Sequence, residues 1–357
     1  MKPTTTADVK TLFGRRLEQA RRMRGLSLRT LADRLQAAVS HNALHKYERG
    51  EMLPDTTVLR ALAKALDQTT EYFFRPFTVS LAAIEFRKKS ALGARAESAL
   101  REEAADFFER YLEVEQSVGI DTSFVHPLEG LVIRSIADVE TAAERLRERW
   151  KMGLDALGNV VELLEQHQVK VYLLEAAESF DGFSGWSGNI PVVALNKRFP
   201  ADRRRLTALH ELGHLLLGFE KQMDAKAIEK ACHRFAGAML MPRTVFEREW
   251  GGHRRSVTLE ELKDIKQDFG ISIAAIMARA RDLNLMSEGD YTQFCILRNK
   301  RGWNKKEPGE FTGTEESNRF EQLLQRAVAT EALSVTLAAN LAKKPLAEFE
   351  RGIQLIP

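Results

Sequence analysis

With 357 residues, 44% of them hydrophobic, the chain is too long for one ordinary core and has the composition of a globular protein, so two or three domains are expected. No apolar run approaches the roughly 18 residues that would span a bilayer. Met1 to Thr6 lack the apolar core of a signal peptide, and two cysteines, Cys232 and Cys295, make no disulfide framework. A cytoplasmic setting with no membrane partner is expected. The net charge of +3 is uneven: residues 1–75 carry 14 Lys and Arg against 8 Asp and Glu, a net of +6, which leaves −3 for the remainder. A basic head on a mildly acidic body points to nucleic acid as the partner of the head.

Residues 11–75 read as five short helices. The first, Thr11 to Arg24, spaces Phe13, Leu17, Ala20 and Met23 helically and stops at Gly25. Ser27 caps a second, and Ser40 caps a third from His41 to Arg49, closed by Gly50. A fourth runs from Thr57 to Leu66, and Glu71 to Phe74 make a last turn. Two helices joined by a short turn within an all-helical unit describe a helix-turn-helix module.

Leu26 to Ala32, Ser40 to Gly50 and Pro54 together resemble the Cro/CI (XRE) family over about 60 residues. The resemblance implies that the third helix enters the major groove of double-stranded DNA. His41, Asn42, His45 and Lys46 would then face base edges or phosphates, Arg15, Arg16, Arg21 and Arg22 would meet phosphates, and Arg29 and Ser40 are further DNA-binding candidates. The turn Gln36 to Val39 is about two residues longer than the family's. Such readers usually bind as dimers on paired half-sites, so a homodimer on an operator is expected.

Arg95 to Gln116 form an amphipathic connector helix, whose stripe of Leu100, Ala104, Phe107, Phe108, Tyr111, Leu112 and Val114 suits a core or a dimer seam. Gly119 to Gly130 look like a hinge. Two helices, Val139–Lys151 and Gly158–Gln166, precede a strand over residues 169–174. Asp181 to Asn189 read as a Gly-rich turn, and Ile190 to Asn196 as a second strand whose Pro191 favours a sheet edge. Asp202 is a candidate cap for the next helix.

That helix carries His210-Glu211-Leu212-Gly213-His214, an H-E-x-x-H sequence. Residues four apart share a helix face, so both imidazoles can meet one metal ion, with Glu211 beside them to activate water. The metzincin continuation is excluded, because Leu217 and Glu220 stand where its Gly and His would fall. A third ligand from a later helix is the gluzincin alternative. Glu229 is the best candidate, with Asp224 and Glu220 behind it. Asn196 and the Val192–Leu195 strand are candidates for holding a substrate backbone.

Residues 140–245 resemble the ImmA/IrrE family of zinc metallopeptidases. The matching stretches are Asp181 to Gly185, Leu195-Asn196, Arg205 to Leu217, and the Glu229 helix ending Leu240-Met241-Pro242. The resemblance implies that His210, His214 and Glu229 bind Zn2+ or Mn2+ and that Glu211 is the general base. His233 stands where many members carry Asn, as a group that orients a ligand or as a ligand itself. Cys232 reads as a small core residue.

Two further helices are expected over residues 256–290, then a polar stretch over 300–318, then two amphipathic helices from Phe320 to Phe349. The expected fold is mainly α with a small β-sheet. It comprises a helix-turn-helix domain at 8–76, a helical connector at 77–130, an α+β zincin-like, gluzincin-type domain at 131–250 and a helical C-terminal region at 251–357. The expected function is a DNA-binding regulator whose zinc endopeptidase cuts a repressor- or antitoxin-like protein partner, or itself, in a stress, mobile-element or toxin–antitoxin response. The alternative is a non-enzymatic repressor or antitoxin in which the second fold serves as a sensor or partner-binding module.

Overall fold

The computed structural model describes residues 6–36, 39–77 and 93–353. Its contacts divide these into two compact units: one comprising the stretch up to residue 77 with 93–122 and 318–353, the other 123–317.

In the first unit, α1 (Thr6–Met23), α2 (Leu28–Arg34), α3 (His41–Glu48), α4 (Thr56–Leu66) and a 3-10 turn (Glu71–Phe74) form the five-helix array. Ser27, Ser40 and Asp55 accept hydrogen bonds from the backbone N–H of Thr30, Ala43 and Val58 at 3.0, 3.1 and 2.8 Å, satisfying donors that each helix start leaves without an intrahelical partner. Phe13, Leu17, Leu31, Leu44, Leu62, Leu66 and Phe73 are fully buried between them. Gly14 lets α1 cross α3 closely: a Cβ there would stand 2.5 Å from the Glu48 carbonyl oxygen. The long helix α5 (Ala94–Ser117) packs against α1.

The second unit opens with β1 (Val132–Ile133), α6 (Ile136–Arg149) and α7 (Val160–Gln166). A three-stranded sheet comes next, made of β2 (Lys170–Leu174), β3 (Gly182–Ser187) and β4 (Ile190–Asn196), in the order β2-β4-β3. β4 runs parallel to β2 and antiparallel to β3. Two expectations are corrected here. Gly182 to Ser187 of the Gly-rich run form strand β3, leaving Gly188-Asn189 as the turn, and β4 is the central strand. Pro191 is tolerated in β4 because the ladder with β2 begins only at Val192, so no bond to β2 is lost.

The helix α8 (Ala201–Leu216) packs across β3 and β4, and after β5 (Gly218–Phe219) the chain returns as α9 (Ala225–Leu240) against α8. The residue capping α8 is Pro200; Asp202 lies in the first turn and pairs with Lys266 at 2.9 Å, so it is not the cap. Gly213 sets the crossing of α8 and α9, since a Cβ there would lie 3.2 Å from Phe235 Cδ1 and 3.3 Å from Cys232 Cα.

α10 (Arg243–Trp250), α11 (Leu259–Phe269), α12 (Ile273–Asp282) and α13 (Glu288–Lys300) complete this unit. Residues 301–317 have no regular structure but are pinned by two carboxylates. Glu307 accepts the N–H groups of Ile273 and Ala274 at the start of α12, and Glu315 those of Val160 and Val161 at the start of α7. Glu315 also pairs with the buried Arg205 of α8 at 2.6 Å.

The tail forms three helices rather than two, α14 (Arg319–Ala329), α15 (Val335–Ala342) and α16 (Leu346–Arg351), and belongs to the first unit. Phe320 lies 5.2 Å from the Phe107 ring and stacks on Tyr111 at 5.5 Å, so the apolar stripe of α5 is core. Contacts thus divide the expected 251–357 region at residue 318: residues 318–353 share the α5 core, and residues 251–317 belong to the second unit. No helix among the described residues is long and apolar enough to cross a membrane.

Candidate metal centre and DNA-facing helix

The α8–α9 crossing brings three side chains to one point. His210 Nε2 and His214 Nε2 are 3.1 Å apart. Glu229, from the second turn of α9, places one carboxylate oxygen 3.4 Å from His210 Nε2 and the other 3.3 Å from His214 Nε2. Ligand bonds of about 2.0–2.1 Å in a tetrahedron give donor–donor edges of about 3.3–3.4 Å, so two imidazoles and a carboxylate at these separations fit a zinc ion. His233 is exposed one turn beyond Glu229, its ring 4.1 Å from that of His210. Donor atoms of His210, Glu229 and His233 also fall within 4.8 Å of one another. The His210–His214–Glu229 set is the better match, because its spacings are those of a coordination edge. Glu220 lies beyond β5, and Asp224 caps α9 through the Ala227 N–H at 2.7 Å.

Glu211 is buried and faces the sheet, where Ser184 of β3 donates a 2.8 Å hydrogen bond to its Oε2. Sequence reading missed Ser184, having treated its segment as a turn. Its apolar residues, Phe183 and Trp186, are three apart and so show no strand alternation; the one local signal is Gly182, which answers a close approach, since a Cβ there would meet the Ala194 carbonyl oxygen at 2.8 Å.

Two candidates for holding substrate do not serve. Asn196 is fully buried, and its side-chain amide donates to the carbonyls of Ala176, Ala177 and Phe180, which fixes the 176–180 loop. The strand Val192–Leu195 already has β2 on one side and β3 on the other, so β3 is the sheet edge next to the candidate catalytic carboxylate.

In the first unit, His41, Asn42, His45 and Lys46 project into solvent from α3, while Leu44 and Tyr47 anchor the helix. Ser40 caps α3, and Arg29 of α2 is exposed. Arg15 is exposed as well, with its guanidinium 4.4 Å from the Phe77 ring. Two arginines are corrected. Arg16 is fully buried, bonded to Glu109 and to the carbonyls of Arg75 and Pro76, and so is unable to touch phosphate. Arg21 forms a two-pronged pair with Glu48 at 2.6 and 2.9 Å and donates to the Leu26 carbonyl, tying α1 to α3.

Asp106 and Glu109 of α5 answer the buried cations of this unit. Arg75, Arg110 and Lys343 all reach Asp106, at 3.0, 3.0 and 2.7 Å. Burial alone would raise the Asp106 pKa; the three cations outweigh it and hold the carboxyl well below the usual range.

The family described as "IrrE N-terminal-like domain" matches residues 164–281, and that described as "Helix-turn-helix" matches residues 17–73. A search of curated proteins gives no match. Among solved structures, the apo form of ComR from S. thermophilus covers 97% of this chain and 95% of its own at 16% identity, with a TM-score of 0.18. The two family matches place the helix-turn-helix residues in the first unit and the H-E-x-x-H residues in the second. The chain therefore joins an XRE-type helix-turn-helix domain to an IrrE-like domain of the M78 peptidase family.

Proposed function

We propose that the chain is a DNA-binding regulator whose second unit is a zinc-dependent endopeptidase acting on a protein partner. The observation that carries the reading is the convergence of His210, His214 and Glu229 at tetrahedral-edge spacing beside a carboxylate, Glu211, that is itself held in place by Ser184. A zinc ion on the three ligands would supply a Lewis acid that acidifies water and polarises a carbonyl.

The chain's own groups do the rest. Ser184 fixes Glu211 Oε2, and the carboxylate takes a proton from the attacking water through Oε1. The water oxygen bonds to the carbonyl carbon, the C–N bond breaks, and Glu211 returns the proton to the departing amine nitrogen. β3 offers its edge to an extended chain, so the substrate is a polypeptide segment held as an added strand. His233, at the mouth, orients the site from outside the ligand triad. On α3, His41, Asn42, His45 and Lys46 read the major groove of an operator, and a homodimer spans its two half-sites. A repressor- or antitoxin-like protein encoded nearby, or a second copy of this chain, is the natural target of a cutter tied to a DNA reader, in the cytoplasm.

The test is incubation of zinc-loaded chain with the proteins encoded beside it. Fragments should form with the native sequence and not with Glu211→Gln at equal zinc content. Equal cleavage by the two would refute the assignment.

A further inference from the structure

Successive side chains of β3 alternate faces, so Gly182, Ser184 and Trp186 share one. That face lies on α8 and steps along it. A Cβ at Gly182 would meet Thr207 Cγ2 at 3.1 Å, and Ser184 bonds Glu211, one helical turn further on. The next step on the strand is Trp186, and the next turn of α8 is Leu215, directly after the ligand His214.

A second group of residues closes on the same point from the segment before β1. Phe124 packs edge-on against Trp186 at 5.6 Å and against His126 at 6.2 Å. The His126 imidazole accepts from the Leu128 N–H at 3.2 Å through Nδ1 and lies beside the backbone of Leu215. Burial lowers the His126 pKa, so the ring is neutral at physiological pH and the cluster carries no charge. All three rings are partly exposed. An aromatic surface therefore stands one strand step from the catalytic carboxylate, in line with the sheet edge.

We propose that Trp186, Phe124 and His126 form a side-chain subsite for the extended peptide, selecting a large apolar or aromatic residue within two positions of the bond held abreast of Glu211. The proposal rests on the peptidase reading and adds its substrate preference. Side chains on one face of an extended peptide repeat about every 7 Å, as along β3, so a peptide whose scissile bond lies at Ser184 and Glu211 sets a neighbouring side chain on Trp186. Uncharged aromatic walls favour an apolar side chain there and leave a charged one without a partner.

The test uses the full chain as Glu211→Gln, zinc-loaded and immobilised, with a tryptic digest of a bacterial proteome as probe and mass spectrometry of the retained peptides. Retained peptides should show an enrichment of about tenfold in Phe, Tyr, Trp, Leu or Met at one position. Adding Trp186→Ala or Phe124→Ala should abolish that enrichment with zinc content unchanged. Trp186→Leu, which keeps an apolar wall, should shift the preference from aromatic to aliphatic residues, so the proposal is still tested should the alanine variants fold poorly. Absence of retention, absence of enrichment, or enrichment that survives these changes would overturn the proposal. The same digest incubated with native zinc-loaded chain tests the parent reading separately: no new termini there, alongside a Trp186-dependent binding preference, would sink the peptidase and keep the subsite.

Discussion

Arg16 decides whether the basic head owes all its arginines to DNA. Its guanidinium makes five hydrogen bonds: two to Glu109, at 2.7 and 2.5 Å, one to Gln19 at 3.0 Å, and one each to the carbonyls of Arg75 and Pro76 at 2.9 Å. Both members of the Arg16–Glu109 pair are fully buried. Arg16→Ala leaves the Glu109 carboxylate in the interior with Arg75 at 3.4 Å as a remaining cation. Breaking a buried pair from one side costs about 3–5 kcal/mol, and the Arg75 contact puts this case near about 3 kcal/mol. At about 2–4 °C per kcal/mol for a unit of this size, the unfolding midpoint should fall by about 6–12 °C. A phosphate contact would behave differently, leaving stability untouched and lowering the salt slope of DNA binding by about 0.9. Calorimetry and salt-titrated anisotropy on a mixed-sequence duplex separate the two. Arg15→Ala, from the exposed neighbour, should lower the salt slope without moving the midpoint. A stable Arg16→Ala chain with a reduced salt slope would refute the packing argument.

Two further outcomes rest on buried contacts of the same kind. Asp106, held below the usual carboxylate range against its burial by Arg110, Lys343 and Arg75, contributes stability that is fully present above the unfolded-state pKa of about 3.9 and is lost as pH falls towards its native value. Asp106→Asn should therefore lower the midpoint of the first unit at pH 7, with the gap to the native chain narrowing below about pH 4; a gap independent of pH would contradict the assignment. Gly213→Val, which crowds Phe235 and Cys232, should spread α8 from α9 and weaken zinc binding at least about tenfold in a chelator competition, because the proposed ligands divide between those helices. Unchanged affinity would show that Gly213 does not set the ligand spacing.

The helix-turn-helix array was legible because its signals are local: Ser27, Ser40 and Gly50 sit where each helix starts or ends, and apolar spacing marks each buried face. His210 and His214 were legible for the same reason, as an i, i+4 pair on one helix. Glu229 could be named only by considering which helix might return to that pair. Arg16 was misread because its partner lies 93 residues away on α5, and an arginine beside other arginines in sequence resembles a solvated face. Asn196 was misread because a polar residue ending a strand near the H-E-x-x-H helix fits both a substrate clamp and a loop staple. Only the carbonyls of Ala176, Ala177 and Phe180 distinguish the two roles. Ser184 was hidden by the glycines around it: Gly188 does serve the turn into β4, but Gly182 serves the close packing of β3 against β4 and α8.

The central claim is that α8 and α9 hold one catalytic zinc ion, and anomalous diffraction at the zinc edge tests it most directly. The account predicts a single strong peak within about 2.0–2.2 Å of His210 Nε2, His214 Nε2 and a Glu229 carboxylate oxygen, retained in Glu211→Gln and lost in Glu229→Ala. A crystal soaked with zinc that shows no peak between these residues would contradict it, as would a peak that persists there without Glu229.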